Sequence, residues 1–148
     1  MDRARSRRLR PFHARNLLMS TVGILIIDDD PEFRETFREA LQLAGFEVVE
    51  AENGAAALAA LERHAIGLVI TDILMPGMDG IDVIHTIRQR SPALKVIAIS
   101  GGNGRRGVPS LTMASQMGAD RVLKKPFGAR ELVAAVEELL ELPPDRAD

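Results

Sequence analysis

Five short apolar runs recur along this chain, and the stretches between them carry apolar residues on one helical face. That pattern leaves few folds open. Val22-Gly23-Ile24-Leu25-Ile26-Ile27 is the first run and Phe46-Glu47-Val48-Val49 the second. The others cover 67–71, Leu94-Lys95-Val96-Ile97-Ala98-Ile99 and Arg121-Val122-Leu123-Lys124. The first and third, with little polar alternation, read as strands buried on both faces, and the other three as strands of the same sheet. Between them the signals are helical. Asp30-Pro31-Glu32 supplies an N-cap, a first-turn proline and a first-turn acid, after which Phe33, Phe37 and Leu41 form a stripe that Gly45 ends. Asn53-Gly54 opens an Ala-rich helix to about His64, with Leu58 and Leu61 expected inward. Ile81, Ile84 and Ile87 line a third helix before Pro92. Leu111, Ala114 and Met117 line a fourth, short one before Gly118. Leu132, Val136, Leu139 and Leu140 line the last, before Pro143-Pro144. The expectation is an α/β fold: a five-stranded parallel sheet, doubly wound, with right-handed crossovers placing every strand's carboxyl end on one edge.

At 148 residues the chain is long enough for one cored domain and too short for two ordinary ones. It has no cysteine, which excludes disulfides, thiol catalysis and thiolate metal sites and suits a reducing cytoplasm. No apolar run approaches a membrane span. The net charge of −2 gives no general attraction to nucleic acid, and without Trp or Tyr any base stacking would fall to five Phe residues. Residues 1–21 differ from the rest: Arg3, Arg5, Arg7, Arg8, Arg10 and Arg15 stand against the single acid Asp2. They are expected to form a basic, disordered tail, or to reflect a start placed upstream of Met19. Residues 22–142 are expected to form the domain, and 143–148 a short C-terminal tail with no output domain attached.

Chemistry concentrates at the carboxyl ends of the runs. Asp28-Asp29 follows the first, Asp72 ends the third, Ser100 follows the fourth and Lys124-Lys125 closes the fifth. In an open α/β sheet such positions lie where sites are built. Three carboxylates gathered there require a cation, and a few hard oxygen ligands with room for water and phosphate describe a Mg²⁺ site. A carboxylate beside such a metal can attack phosphorus and form an acyl phosphate, while metal and lysine neutralise the phosphoryl oxygens. Lys124 is expected to face solvent, since alternation turns only one of the two lysines toward the site. His13, His64 and His85 have no ligand partner at helical spacing and read as surface residues.

Taken together, Asp28-Asp29, Asp72 with Met75-Pro76-Gly77-Met78-Asp79-Gly80, Ser100-Gly101 and Lys125-Pro126-Phe127 resemble the response-regulator receiver domains of two-component signalling, CheY-like in fold. The resemblance covers about 22–142. It implies a flavodoxin-like strand order 2-1-3-4-5, with Asp72 as phosphoacceptor. It implies that Asp29 and Asp72 bind Mg²⁺ directly, Asp28 through water, and Leu74 by its main-chain carbonyl. It implies that Ser100, the Gly101 amide and Lys125 bind the phosphoryl group, and that the Lys125–Pro126 bond is cis. A histidine kinase or histidine phosphotransfer protein would be the donor, an unidentified protein the target, and the cytoplasm the location. Membrane and nucleic-acid partners are not implied. The chain would be a switch or a relay carrier, not an enzyme beyond its own phosphorylation and slow dephosphorylation.

Some features depart from the family pattern. Val122 stands where the family often carries Tyr or Phe, so the usual aromatic switch is missing. The loop from Gly101 through Gly107 is long, and its Arg105 and Arg106 mark either a partner surface or a solvated segment. Leu74, two residues past the acceptor, cannot orient water, which points to slow self-hydrolysis. Two alternatives stay open: a haloacid-dehalogenase-like phosphatase with Asp28 as nucleophile in Asp28-Asp29-Asp30, and a degenerate receiver that binds partners without phosphate. Glu32 and the lack of a later acidic strand-end motif weigh against the phosphatase.

Overall fold

Isoleucine, leucine and valine dominate the central strands because a parallel strand between two helical layers has no face left for water. The computed structural model describes residues 23–73, 80–101, 116 and 118–141. Strands β1 (Gly23–Ile27), β2 (Glu47–Ala51), β3 (Ile66–Asp72), β4 (Lys95–Ser100) and β5 (Arg121–Lys124) form one sheet, all pairs parallel, in the order β2-β1-β3-β4-β5. Every residue of β1 is buried, as its unbroken apolar run requires. Helices α1 (Pro31–Leu43), α2 (Gly54–Arg63), α3 (Gly80–Arg90) and α4 (Ala129–Leu139) complete the described elements. This is the doubly wound, flavodoxin-like arrangement expected. The two tails, the helix expected around Leu111, Ala114 and Met117, the arginines of the Gly-rich loop, and Leu74 lie outside the described residues.

Local chemistry sets the helix ends. The Asp30 side chain accepts from the Glu32 amide with Pro31 in the first turn, and Asn53 accepts from the Ala56 amide at 2.8 Å. Past α1 the chain turns at Gly45, whose φ of 102° is open to glycine.

Alternation along the strands sorts the core into two layers. Ile24, Ile26, Leu68, Ile70, Ile97, Ile99 and Leu123 pack with Phe37 and Leu41 of α1 and with Leu132 and Val136 of α4. Leu25, Ile27, Val69, Val96 and Ala98 pack the opposite way, on α2 and α3. One expectation needs correcting. The buried face of α2 is Gly54, Ala57 and Ala60; Leu61 is half-buried against the same core, as expected, whereas Leu58 is half-buried at the flank. Nearly every position of Gly54-Ala55-Ala56-Ala57-Leu58-Ala59-Ala60-Leu61 is apolar, so periodicity could not select the face. Small side chains at Gly54, Ala57 and Ala60 take the centre of that face, and Leu58 falls to its flank.

Candidate functional site

The same alternation that sorts the core also aims the acids. In β1, Ile24 and Ile26 face α1 and α4, and Asp28 continues their parity; in β3, Leu68 and Ile70 do so, and Asp72 continues theirs. β1 and β3 are neighbours with Ile26 opposite Ile70 and Ile27 opposite Thr71, so the next step in register sets Asp28 against Asp72. Leu123 of β5 points to the same layer, and Lys125, two residues on, follows it over the end of β4. Three separate strand ends therefore converge on one side of the sheet rim.

The distances agree. Carboxylate oxygens of Asp28, Asp29 and Asp72 all lie within 4.8 Å of one another. The Lys125 Nζ is 3.7 Å from Asp72 Oδ2 and 3.9 Å from Asp28 Oδ2. Asp28 is 1% exposed and Asp72 8%, whereas Asp29 faces solvent. One oxygen of Asp28 accepts from the Asp30 amide at 2.9 Å. The other, Oδ2, is buried with no hydrogen-bond partner. A buried carboxylate oxygen without a hydrogen bond, within reach of two further carboxylates, is the donor set a divalent cation needs, and Mg²⁺ fits it. Burial pushes the Asp28 carboxyl up to about 7, against a hydrogen bond from the Asp30 amide; Asp72 pushes it further up, Lys125 draws it down, and Asp29 adds a smaller upward push.

The other expected residues share the rim. Ser100 ends β4, buried, and continues the parity of Val96 and Ala98, the α2–α3 side. Its carbonyl accepts from the Lys125 amide at 2.8 Å, which ties the turn after β5 to the end of β4. Gly101 follows and is exposed. The Lys125–Pro126 peptide is cis, as expected. Lys124 is exposed and Lys125 half-buried, also as expected. His64 and His85 are exposed. Val122 is half-buried against the α2–α3 layer. The start of α3 presses on the end of β3. The Gly80 amide donates to the Ile73 carbonyl at 2.8 Å, and a Cβ on Gly80 would lie 1.9 Å from the Asp72 carbonyl oxygen. Only glycine fits there.

Two residues were not foreseen as part of the site. Arg34 of α1 donates to the Asp28 carbonyl at 2.6 Å and to Glu50 of β2 at 3.1 Å, and Glu50 also pairs with Arg38 at 3.2 Å. This clamp fixes the backbone that carries Asp28. An arginine on a helix surface is ordinarily solvated, and the hint in the sequence was Glu50, an acid between Val49 and Ala51 in β2. Phe33 read as a core residue of α1, yet the Lys125 Nζ stands over its ring at 4.3 Å from the centroid.

Comparison with known proteins follows this geometry. The family model described as the response regulator receiver domain matches residues 24–137. The response regulator receiver protein CpdR of Brucella abortus is 36% identical over 118 residues, 79% of this chain and 95% of that protein. The C4-dicarboxylate transport transcriptional regulatory protein DctD of Rhizobium meliloti is 36% identical over 119 residues, 80% of this chain. The chain spans only 25% of DctD. Among solved structures, the receiver domain of NtrX from Brucella abortus superposes with a TM-score of 0.73 at 33% identity, covering 81% of this chain and 99% of that one.

Proposed function

Because this chain belongs to the response regulator receiver domains of two-component signalling, we propose that it accepts a phosphoryl group on Asp72 from a histidine kinase or a histidine phosphotransfer protein. The phosphorylated form then binds a target protein or passes the group on. The observation that carries this reading is the convergence of Asp28, Asp29, Asp72 and Lys125 on one side of the rim. An Asp72 carboxylate oxygen attacks the phosphorus of a phosphohistidine, the P–N bond breaks, and the imidazole leaves. The product is an acyl phosphate on Asp72.

Asp28, Asp29 and Asp72 would hold Mg²⁺, with the Leu74 carbonyl as a further ligand. When bound, Mg²⁺ supplies positive charge that offsets the clustered carboxylates and the phosphoryl oxygens. The protein's own groups do the rest. Lys125 brings an ammonium to the same pocket. Ser100 and the Gly101 amide receive a phosphoryl oxygen. Arg34 holds the Asp28 backbone in place, and Gly80 lets α3 seat against the acceptor strand. Among the described residues no helix is long and apolar enough to cross a membrane, and the cytoplasm, where a kinase would present its phosphohistidine, is the proposed location.

Acetyl phosphate with Mg²⁺ tests the reading. The expected result is a phosphoryl mass adduct on the intact chain that EDTA prevents and Asp72→Asn abolishes. An adduct that survives Asp72→Asn, or phosphatase turnover that depends on Asp28, would overturn it.

A further inference from the structure

We propose that Phe33 is a positioning residue: its ring face holds the Lys125 ammonium at the pocket rim, ready for the phosphoryl group. The inference rests on the reading of Asp72 as acceptor and goes beyond it. Lys125 Nζ lies 3.7 Å and 3.9 Å from the Asp72 and Asp28 oxygens, so neither contact is a hydrogen bond. A flexible lysine beside two carboxylates should collapse onto one of them. The ring, 4.3 Å away, supplies a further attraction: a cation over a π face is drawn to its negative quadrupole. Held between ring and carboxylates, the ammonium keeps its N–H groups for an incoming phosphoryl oxygen.

The ring itself is held from both sides. Phe33 packs on Phe37 of α1 with centroids 4.6 Å apart and edge-on to Phe127 at 6.2 Å, and Phe37 meets Phe127 at 5.2 Å. Phe127 lies two residues beyond Lys125. The lysine's own segment thus closes the aromatic cluster that carries its ring. An aliphatic residue at position 33 would fill the same core stripe without a π face, which separates positioning from packing.

Phe33→Leu and Phe33→Tyr test this. In wild type, the Lys125 methylene protons next to the amine are expected upfield of their ordinary NMR position through the ring current. Phe33→Leu returns them to that position and Phe33→Tyr keeps them upfield. Loss of one half-exposed cation–π contact should slow phosphoryl uptake from acetyl phosphate at saturating Mg²⁺ about two- to fivefold in Phe33→Leu. Phe33→Tyr should match wild type, and circular dichroism checks that both variants fold. Unshifted methylenes in wild type, uptake by Phe33→Leu equal to wild type, or Phe33→Tyr as slow as Phe33→Leu would overturn the proposal. A wild-type chain that shows the shifted methylenes but takes up no phosphoryl group would sink the acceptor reading instead, and the positioning role with it.

Discussion

Replacing Asp28 by Asn should make the metal-free protein more stable, although Asp28 is buried and hydrogen-bonded. Its carboxyl is pushed up to about 7 from an ordinary 3.8. Burial is the largest cause, and the Asp72 carboxylate adds to it. A group whose folded value lies above its unfolded value stabilises the fold most below the unfolded value, and that contribution disappears as pH rises through the folded one. Between about pH 4 and pH 7, then, rising pH removes stability from the wild type. By pH 8 the penalty is close to complete. Three pH units at about 1.36 kcal/mol each set a ceiling of about 4 kcal/mol. Water at the open Asp29 side screens the charge, so about 2 kcal/mol is the expected gain. Asparagine keeps the shape and keeps an oxygen to accept from the Asp30 amide, so little is lost in exchange.

Thermal unfolding followed by circular dichroism in EDTA reads this directly. At pH 8, Asp28→Asn should melt roughly 8 °C above wild type, at about 4 °C per kcal/mol for a domain of this size. At pH 5 the folded carboxyl is protonated but the unfolded one has ionised, so about a third of the difference should remain, and it should close only below about pH 4. Saturating Mg²⁺ should also narrow the gap, because the ion stabilises the three-carboxylate form by mass action. A variant no more stable than wild type at pH 8, or one with the same advantage at pH 5, would refute the claim that an ionised Asp28 strains the metal-free fold.

Two further substitutions probe the supports of the site. Gly80→Ala drives a methyl onto the Asp72 carbonyl oxygen and to 2.6 Å from the Ile73 Cα; a loss of about 3 kcal/mol is expected in urea unfolding, with weaker phosphoryl uptake, and an unchanged midpoint would contradict the packing described here. Arg34→Met removes the bond to the Asp28 carbonyl and leaves Glu50 with Arg38 alone. About 1–3 kcal/mol should be lost, and Mg²⁺ affinity by calorimetric titration should fall, whereas unaltered affinity would show that the Asp28 turn holds itself.

The strands and the acids were legible in the sequence for one shared reason. A strand buried on both faces is written as a run of Ile, Leu and Val, and a charged residue at its end stands out against that run. Period-two alternation then says which strand ends look the same way. The face of α2 was illegible because an almost wholly apolar helix carries no contrast for periodicity to use. Arg34 and Phe33 were hidden differently: each has an ordinary explanation on its own helix, as a solvated cation and as a core aromatic. Their roles depend on residues far along the chain, Glu50 for the first and Lys125 and Phe127 for the second. A sequence shows which side chains are unusual for their element. Contacts between ordinary side chains of different elements appear only once the sheet order brings those elements together, and on this rim such contacts hold both the backbone of Asp28 and the ammonium of Lys125.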